Sequence, residues 1–169
     1  MKITPGSIIT LENFIGNDMV IRNKGNEVNL DLEPVNMNDQ AFKNAATIYV
    51  EKGYSGDPNT VAFRAGDVPN NYFKHVGHVL RLSVFDDYVG FKNDIDYFVE
   101  AGLADPKGVS FRSKSYPNCY LYFINDIIMI KDKEISQDYN QRATWYPRIG
   151  IALEVEHIAF KYKTEDVKT

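Results

Sequence analysis

The stretch VAFRAGDVPNNYFKH (61–75) recurs 48 residues later as VSFRSKSYPNCYLYF (109–123). The two copies share valine, phenylalanine, arginine, proline, asparagine and tyrosine at matching positions. The same shift aligns Phe91 with Tyr139 and Tyr97 with Trp145 without a gap. Self-similarity at this period indicates repeated supersecondary units that bury a core together. The repeat therefore decides the fold.

A first copy of the unit precedes these two. FKNAATIYVEKGYSGDPN (42–59) matches FKNDIDYFVEAGLADPKG (91–108), with one residue of slippage in the loop. Upstream, SIITLENFIGNDMVIRN (7–23) stands in the place of the 61–75 segment with weaker similarity. We expect one domain over residues 1–155, with repeats at about 5–57, 58–105 and 106–153, and a C-terminal extension at 156–169.

Short β-type runs alternate with turn residues in each unit. Proline fixes φ while Asn and Gly tolerate the left-handed region, so Pro-Asn, Asp-Pro and Lys-Gly pairs indicate turns. In the second and third units the runs lie at 60–65, 71–76, 79–85, 96–102, 109–113, 119–124, 127–132 and 143–149. Four strands in each of three units predict an all-β fold, a β-trefoil with pseudo-threefold symmetry that hides most strand edges.

Composition narrows the possible partners. The net charge of −4 and the pI of about 5.4 argue against nucleic acid, and no apolar run reaches the roughly 20 residues of a membrane helix. Cys119 is the only cysteine, which excludes an intrachain disulfide. The start MKITPGSII has no apolar leader, so we expect an extracellular site if the chain is a mature form and a cytoplasmic one if it is complete. We expect a monomer.

Three stretches carry a family resemblance: PNNYFKHVGHVLRL (69–82), GFKNDIDYFVEAGLADPKGVSFRSKSYPNCYL (90–121) and YNQRATWYPRIG (139–150). They resemble the arabinofuranosidase B C-terminal domain, also known as carbohydrate-binding module family 42. The resemblance covers about residues 7–151. It implies a β-trefoil that binds arabinofuranose side chains of hemicellulose, accessory to alpha-L-arabinofuranosidase activity and without a catalytic domain of its own.

The resemblance also implies a binding site. In that family a histidine and an aspartate of one unit converge on a pocket for an arabinofuranose side group. They correspond here to His75 and Asp94, and Tyr72 is a further candidate for an apolar wall. A carboxylate accepts hydrogen bonds from adjacent sugar hydroxyls, and an imidazole can both donate and accept. The partner is thus predicted to be an arabinose-decorated polysaccharide or oligosaccharide.

The other two units depart from the pattern. Phe123 and Arg142 stand at the histidine and aspartate positions of the third unit, and Arg22 and Ala45 at those of the first. Neither pair can form the same hydrogen bonds, so a pocket is predicted only in the second unit. The alternative is a protein-interaction β-trefoil whose sugar sites have degenerated, with a protein partner.

Enzymatic activity is not expected. Glycoside hydrolysis requires two facing carboxyl groups roughly 5–9.5 Å apart, yet the counterparts of Asp94 in the other units are an arginine and an alanine. An autonomous glycosidase remains the third class to test. His78 lies three residues after His75 without a third ligand at zinc-like spacing, so no metal and no cofactor are predicted. The repeated aromatic residues are predicted to form the core: Phe63, Phe91, Tyr97, Phe111, Tyr139 and Trp145.

Overall fold

The computed structural model describes residues 1–24 and 29–153. It contains twelve strands and three short helices over these residues. The first repeat holds β1 (Ile8–Asn13), β2 (Met19–Asn23), β3 (Leu30–Pro34), α1 (Gln40–Ala45) and β4 (Ile48–Lys52). The second holds β5 (Thr60–Ala65), β6 (Asn71–Val76), β7 (Val79–Val84), α2 (Val89–Ile95) and β8 (Asp96–Ala101). The third holds β9 (Val109–Ser113), β10 (Cys119–Ile124), β11 (Ile127–Asp132), α3 (Gln137–Arg142) and β12 (Trp145–Ile149). The predicted C-terminal extension, 156–169, lies outside the described residues.

The first and fourth strands of each repeat form a closed antiparallel barrel. Its six strands pair in the order β1, β4, β5, β8, β9 and β12, and β12 returns to β1. The second and third strands form three hairpins, β2–β3, β6–β7 and β10–β11. These hairpins meet through β11, which pairs with both β3 and β7. This arrangement is a β-trefoil, and the predicted fold class is confirmed.

Aromatic side chains fill the barrel as predicted. The ring of Phe63 lies 5.1 Å from that of Phe111 and 5.6 Å from that of Tyr97, measured between centroids. Nε1 of the fully buried Trp145 donates a hydrogen bond to the backbone oxygen of Leu121 at 3.2 Å. All six aromatic residues predicted for the core are buried. Burial of Trp145 leaves no face of its ring for stacking on a sugar.

The helices add to the predicted pattern of strands and turns. Each has six or seven residues and precedes the fourth strand of its repeat. Fewer than two turns give no detectable 3.6-residue periodicity, which explains why sequence reasoning found none. Two helices begin with a side-chain cap, Asp39 in α1 and Ser136 in α3. No helix among the described residues is long and apolar enough to cross a membrane.

Beneath each helix lies a small apolar cluster apart from the barrel. The cluster of the first repeat forms around Phe42, that of the second around Phe91 and that of the third around Tyr139. In each case the aromatic residue of the helix is buried against the second strand of the same repeat. This packing fixes the helix beside the hairpin and so determines which side chains meet there.

Candidate functional site

His75 and Asp94 come together at the side of the second hairpin. His75 lies near the end of β6, and Asp94 lies in the last turn of α2. Nε2 of His75 is 3.4 Å from Oδ1 of Asp94. The two residues meet because Phe91 anchors α2 on β6, which turns the next turn of the helix toward the strand.

Two further groups bind the carboxylate of Asp94. Nζ of Lys74 lies 3.3 Å from Oδ2, and Oγ of Ser115 donates a hydrogen bond to Oδ1 at 2.5 Å. Ser115 belongs to the loop between β9 and β10, so the site joins the second repeat to the third. Ionised carboxylate oxygens offer about four lone-pair directions in total, so Asp94 retains capacity for a hydroxyl donor.

His75 is buried, with 4% of its surface exposed. Its Nε2 is one of two buried side-chain nitrogen atoms that have no hydrogen-bond partner among the described residues. The 3.4 Å approach to Asp94 is an electrostatic contact without hydrogen-bond geometry. Buried polar atoms are nearly always paired, so an unpaired one beside a partly exposed carboxylate is a candidate for contact with a ligand.

Tyr116 supplies the exposed ring of the site. Its ring packs edge-on against His75, with centroids 5.4 Å apart, and against His78 at 5.0 Å. Tyr116 is 47% exposed, whereas His75 is buried. The phenol ring is therefore the aromatic surface that a ligand beside Asp94 would meet.

The imidazole of His75 is neutral at neutral pH. Burial lowers its pKa below the ordinary value of 6.5, and this effect outweighs the opposing influence of the negative charge on Asp94. The positive charge of Lys74 and the neighbouring His78 lower the pKa further. A neutral imidazole has one N–H donor and one acceptor, which matches the dual character of a sugar hydroxyl.

Tyr72 has other contacts than the pair, and its role as a wall of the pocket stays a prediction. Alternate residues of a strand face opposite sides, so Tyr72 and His75 of β6 point away from each other. The hydroxyl of Tyr72 donates to Oε2 of Glu51 at 2.8 Å and lies 2.9 Å from that of Tyr54. Its ring packs edge-on against Phe85 at 5.6 Å. These contacts bury Tyr72 in the helix cluster of the second repeat.

Strand register identifies the counterpart of His75 in the first repeat. Val20 pairs with Glu12 of β1, and Tyr72 pairs with Arg64 of β5. Val20 and Tyr72 are therefore equivalent. Asn23 lies three residues after Val20, and His75 lies three residues after Tyr72, so Asn23 is the counterpart of His75. The sequence-based choice of Arg22 is thus wrong by one position.

Arg22 lies on the other face of β2. Its guanidinium carbon is 5.2 Å from the ring centroid of Phe42, over the helix cluster of the first repeat. Its Nη1 is 3.6 Å from Oε2 of Glu33 on the paired strand β3. These contacts turn Arg22 away from the position that corresponds to His75.

The equivalent positions in the first and third repeats have other contacts. In the first, Nδ2 of Asn23 donates to Oδ1 of Asp67 and, at 3.5 Å, to the backbone oxygen of Ala45. In the third, Nη1 of Arg142 donates at 3.5 Å to the backbone oxygen of Phe123. Neither repeat brings an imidazole and a carboxylate together.

Sequence reasoning missed Lys74, Ser115 and Tyr116. The residue pair Ser115-Tyr116 precedes the repeated Pro117, so it falls in a turn of the third unit. Only the contact between repeats brings that turn to Asp94. Among the described residues, no group of three His, Cys, Asp or Glu side chains could hold a metal ion.

Comparisons with known proteins agree with this architecture. Residues 88–165 match the family described as the alpha-L-arabinofuranosidase B (ABFB) domain. No curated protein matches the chain. A solved GH54 a-l-arabinofuranosidase with a cyclic sulfate inhibitor is 19% identical, with a TM-score of 0.79, over 89% of this chain and 32% of that one.

Two further solved structures extend the comparison. An arabinofuranosidase complexed with arabinofuranosyl-alpha-1,2-xylobiose has a TM-score of 0.80 at 19% identity, over 90% of this chain and 33% of that one. The Polyporus squamosus lectin has a TM-score of 0.62 at 10% identity, over 88% of this chain and 50% of that one. The chain thus spans about a third of the length of the arabinofuranosidases. It carries sequence of the arabinofuranosidase B domain family over residues 88–165, which confirms the predicted resemblance.

Proposed function

We propose that the chain is a non-catalytic carbohydrate-binding module that takes arabinofuranose side chains of hemicellulose at one site in the second repeat. The observation that carries this proposal is the buried, unpaired Nε2 of His75 beside the carboxylate of Asp94. The family match to the arabinofuranosidase B domain supports a carbohydrate-binding accessory role. That match is to the domain alone.

Exposure determines the order of contact. The side chain of Asp94 is 25% exposed and that of His75 only 4%, so the carboxylate receives the first sugar hydroxyl. The exposed ring of Tyr116 packs edge-on on the imidazole, and the proposal requires this side chain to rotate so that a hydroxyl can reach Nε2. The neutral imidazole then exchanges a hydrogen bond with a second hydroxyl, and the phenol ring covers the apolar face of the furanose.

A single site of this kind binds weakly. A few hydrogen bonds contribute about 1 kcal/mol net each, which corresponds to dissociation constants around the millimolar level. Proteins with several equivalent sites gain avidity by linking them. With one pair of this type, the chain is expected to bind one side chain at a time.

Calorimetric titration tests the proposal. We expect the heat of arabinofuranosyl-xylotriose in excess of that of xylotriose, which lacks the side group, to fit one site on the wild-type protein. Asp94→Asn should weaken binding about tenfold or more, because hydrogen bonds to a charged acceptor are worth about 1.5–3 kcal/mol. Asp87→Asn is the matched control, since Asp87 is 81% exposed in the preceding loop. Equal affinity in both variants would remove Asp94 from the site.

One observation favours a second candidate, a module that binds a protein partner. Three large apolar side chains from the end of β7 to the start of α2 are exposed: Val84 at 63%, Tyr88 at 52% and Val89 at 70%. Exposed apolar side chains clustered in one loop are typical of interaction surfaces. A Val84→Ser/Val89→Ser variant that still binds the arabinofuranosyl oligosaccharide but loses a protein partner would favour this function.

A further inference from the structure

An open groove of about 700 Å³ lies beside α3, where the third repeat meets the first. One wall is the exposed face of α3 with the segment 133–136 that precedes it. The other wall is formed by Leu103 and Ala104, from the loop between β8 and β9, and by Phe14, which follows β1. The volume falls in the range of about 300–1,000 Å³ that small-molecule sites occupy.

At one position of the groove the third repeat has a lysine where the second repeat has an aromatic ring. The backbone N–H of Lys133 binds the oxygen of Asn118, as that of Phe85 binds the oxygen of Asn70. Lys133 and Phe85 are therefore equivalent. In the second repeat the Phe85 ring occupies this space, 5.6 Å from the ring of Phe91. Lys133 has no ring, and its ammonium lies 5.8 Å from the ring centroid of Tyr120, the equivalent of the Tyr72 ring on which Phe85 packs at 5.6 Å.

A second filling residue is also absent from the third repeat. Leu103 follows a glycine directly after β8, and Tyr54 follows a glycine directly after β4. The two residues are therefore equivalent. The ring of Tyr54 packs on that of Phe85 at 4.9 Å, so these two rings close the second repeat. The smaller Leu103 leaves the corresponding space in the third repeat unfilled.

The lining of the groove combines amides with apolar surface. Gln137, Asn140 and Gln141 come from one helix, and each side-chain amide can both donate and accept hydrogen bonds. Phe14 contributes an aromatic ring, which is held by stacking on Tyr146 at 5.9 Å. An apolar wall facing several neutral hydrogen-bonding groups suits a ring that has a C–H face and a rim of hydroxyls.

The charges of the groove balance. Lys133 and Glu134 both line it, and each has an opposite charge as a neighbour: Glu134 pairs with Lys131, and Lys133 interacts with Glu100. A single lysine beside a carboxylate gives no field that would select an anion. The lining therefore favours an uncharged ligand.

We propose that this groove is a second binding site and that it takes a neutral oligosaccharide. The groove contains neither His75 nor Asp94, so this proposal can be tested independently of the arabinofuranose site. Together the two sites would allow the module to hold one polysaccharide at two points, with the gain in affinity that linkage brings.

The experiment is an NMR titration of ¹⁵N-labelled protein with xylotetraose, which lacks the side group expected at Asp94. We expect the side-chain amide signals of Gln137, Asn140 and Gln141 to shift. Gln141→Ala should weaken binding about fivefold, the effect of one net hydrogen bond of about 1 kcal/mol. Asn93→Ala is the matched control, because Asn93 holds the same position in α2, and it should leave the affinity unchanged.

A variant that fills the groove keeps the test independent of hydrogen bonding. Leu103→Tyr/Lys133→Phe copies the two aromatic residues of the second repeat and should abolish the shifts while the remaining spectrum stays folded. Unchanged binding in this variant, shifts confined to the second repeat, or no shift at tens of millimolar xylotetraose would each overturn the proposal. An equal loss in Asn93→Ala would overturn it too.

Discussion

Asn23 of the first repeat and His75 of the second occupy the same strand position, yet they bind different carboxylates. Asn23 donates to Asp67, which lies in the loop after β5, whereas His75 lies against Asp94 of its own repeat. The register of β2 and β6 against their neighbours establishes the equivalence. One backbone framework thus presents different polar groups from repeat to repeat, and only the second repeat presents an imidazole with a carboxylate.

This equivalence predicts that a site can be restored in the third repeat. Phe123→His/Arg142→Asp places the imidazole and the carboxylate at the corresponding positions. We expect the number of sites that bind arabinofuranosyl-xylotriose but not xylotriose, measured in a calorimetric titration, to rise from one to two. Phe123→His alone is the control, because Arg142 still occupies the aspartate position. A folded double variant with one such site would contradict the proposed role of the pair.

The pH dependence of stability isolates His75. Because burial lowers its pKa below 6.5, the unfolded chain binds a proton more readily than the native protein. Stability is therefore full above about pH 6.5 and falls as the pH decreases toward the native pKa. We expect the free energy of unfolding, measured with urea, to decrease between pH 7.5 and 5.5 in wild-type protein. Of the groups that face the imidazole, Asp94 opposes this lowering of the pKa, and Lys74 and His78 add to it.

The matched variant for this measurement is His75→Phe, since phenylalanine stands at the equivalent position, Phe123, in the third repeat. Its free energy of unfolding should change less over the same pH interval. The carboxyl groups with lowered pKa values, such as Glu51 and Glu100, lose their charge only below that interval. Equal pH dependence in the two proteins would mean that His75 is not the group responsible.

Asp96 is expected to be essential for stability rather than binding. It is fully buried, and its carboxylate accepts hydrogen bonds from the N–H groups of Tyr54 and Ser55 and from Oγ1 of Thr60, at 2.8–2.9 Å. Asp96→Ala leaves these donors unpaired, and we expect a loss of about 2–4 kcal/mol in the free energy of unfolding. Urea titration followed by circular dichroism measures it.

The repeats supply the control for Asp96. Thr144 holds the equivalent position in the third repeat, where its Oγ1 accepts from the N–H of Ala104 at 3.0 Å. Asp96→Thr keeps an acceptor at this point and should cost less than Asp96→Ala. If both variants lose the same stability, the hydrogen bonds to Asp96 are not the cause.

Trp145 provides a test of the core. Trp145→Phe removes the donor to the backbone oxygen of Leu121 and opens space in a closely packed barrel, so we expect a loss of about 2–4 kcal/mol. Trp145→Tyr should lose less, because Tyr97 at the equivalent position donates its hydroxyl to the backbone oxygen of Phe73 at 3.2 Å. Thermal unfolding ranks the two variants, and the reverse order would contradict the equivalence.

The sequence by itself determined the architecture. Residue alternation and turn chemistry are local, so the repeat from 61–75 to 109–123 was enough to predict strands, their number and the buried aromatic residues. Local patterns also placed His75 and Asp94 in one repeat unit. They left out the short helices, because six or seven residues carry no helical period.

The tertiary structure decided what surrounds those residues. Ser115 reaches Asp94 only across the boundary between two repeats, and the burial of His75 depends on chain segments distant in sequence. The equivalence of Asn23 with His75 required hydrogen-bond register, since loops of unequal length hide it in the sequence. The groove beside α3 is lined by Leu103 and Lys133, at positions where the second repeat has the aromatic residues Tyr54 and Phe85. Contacts between distant segments set burial and open space, and no local pattern encodes them.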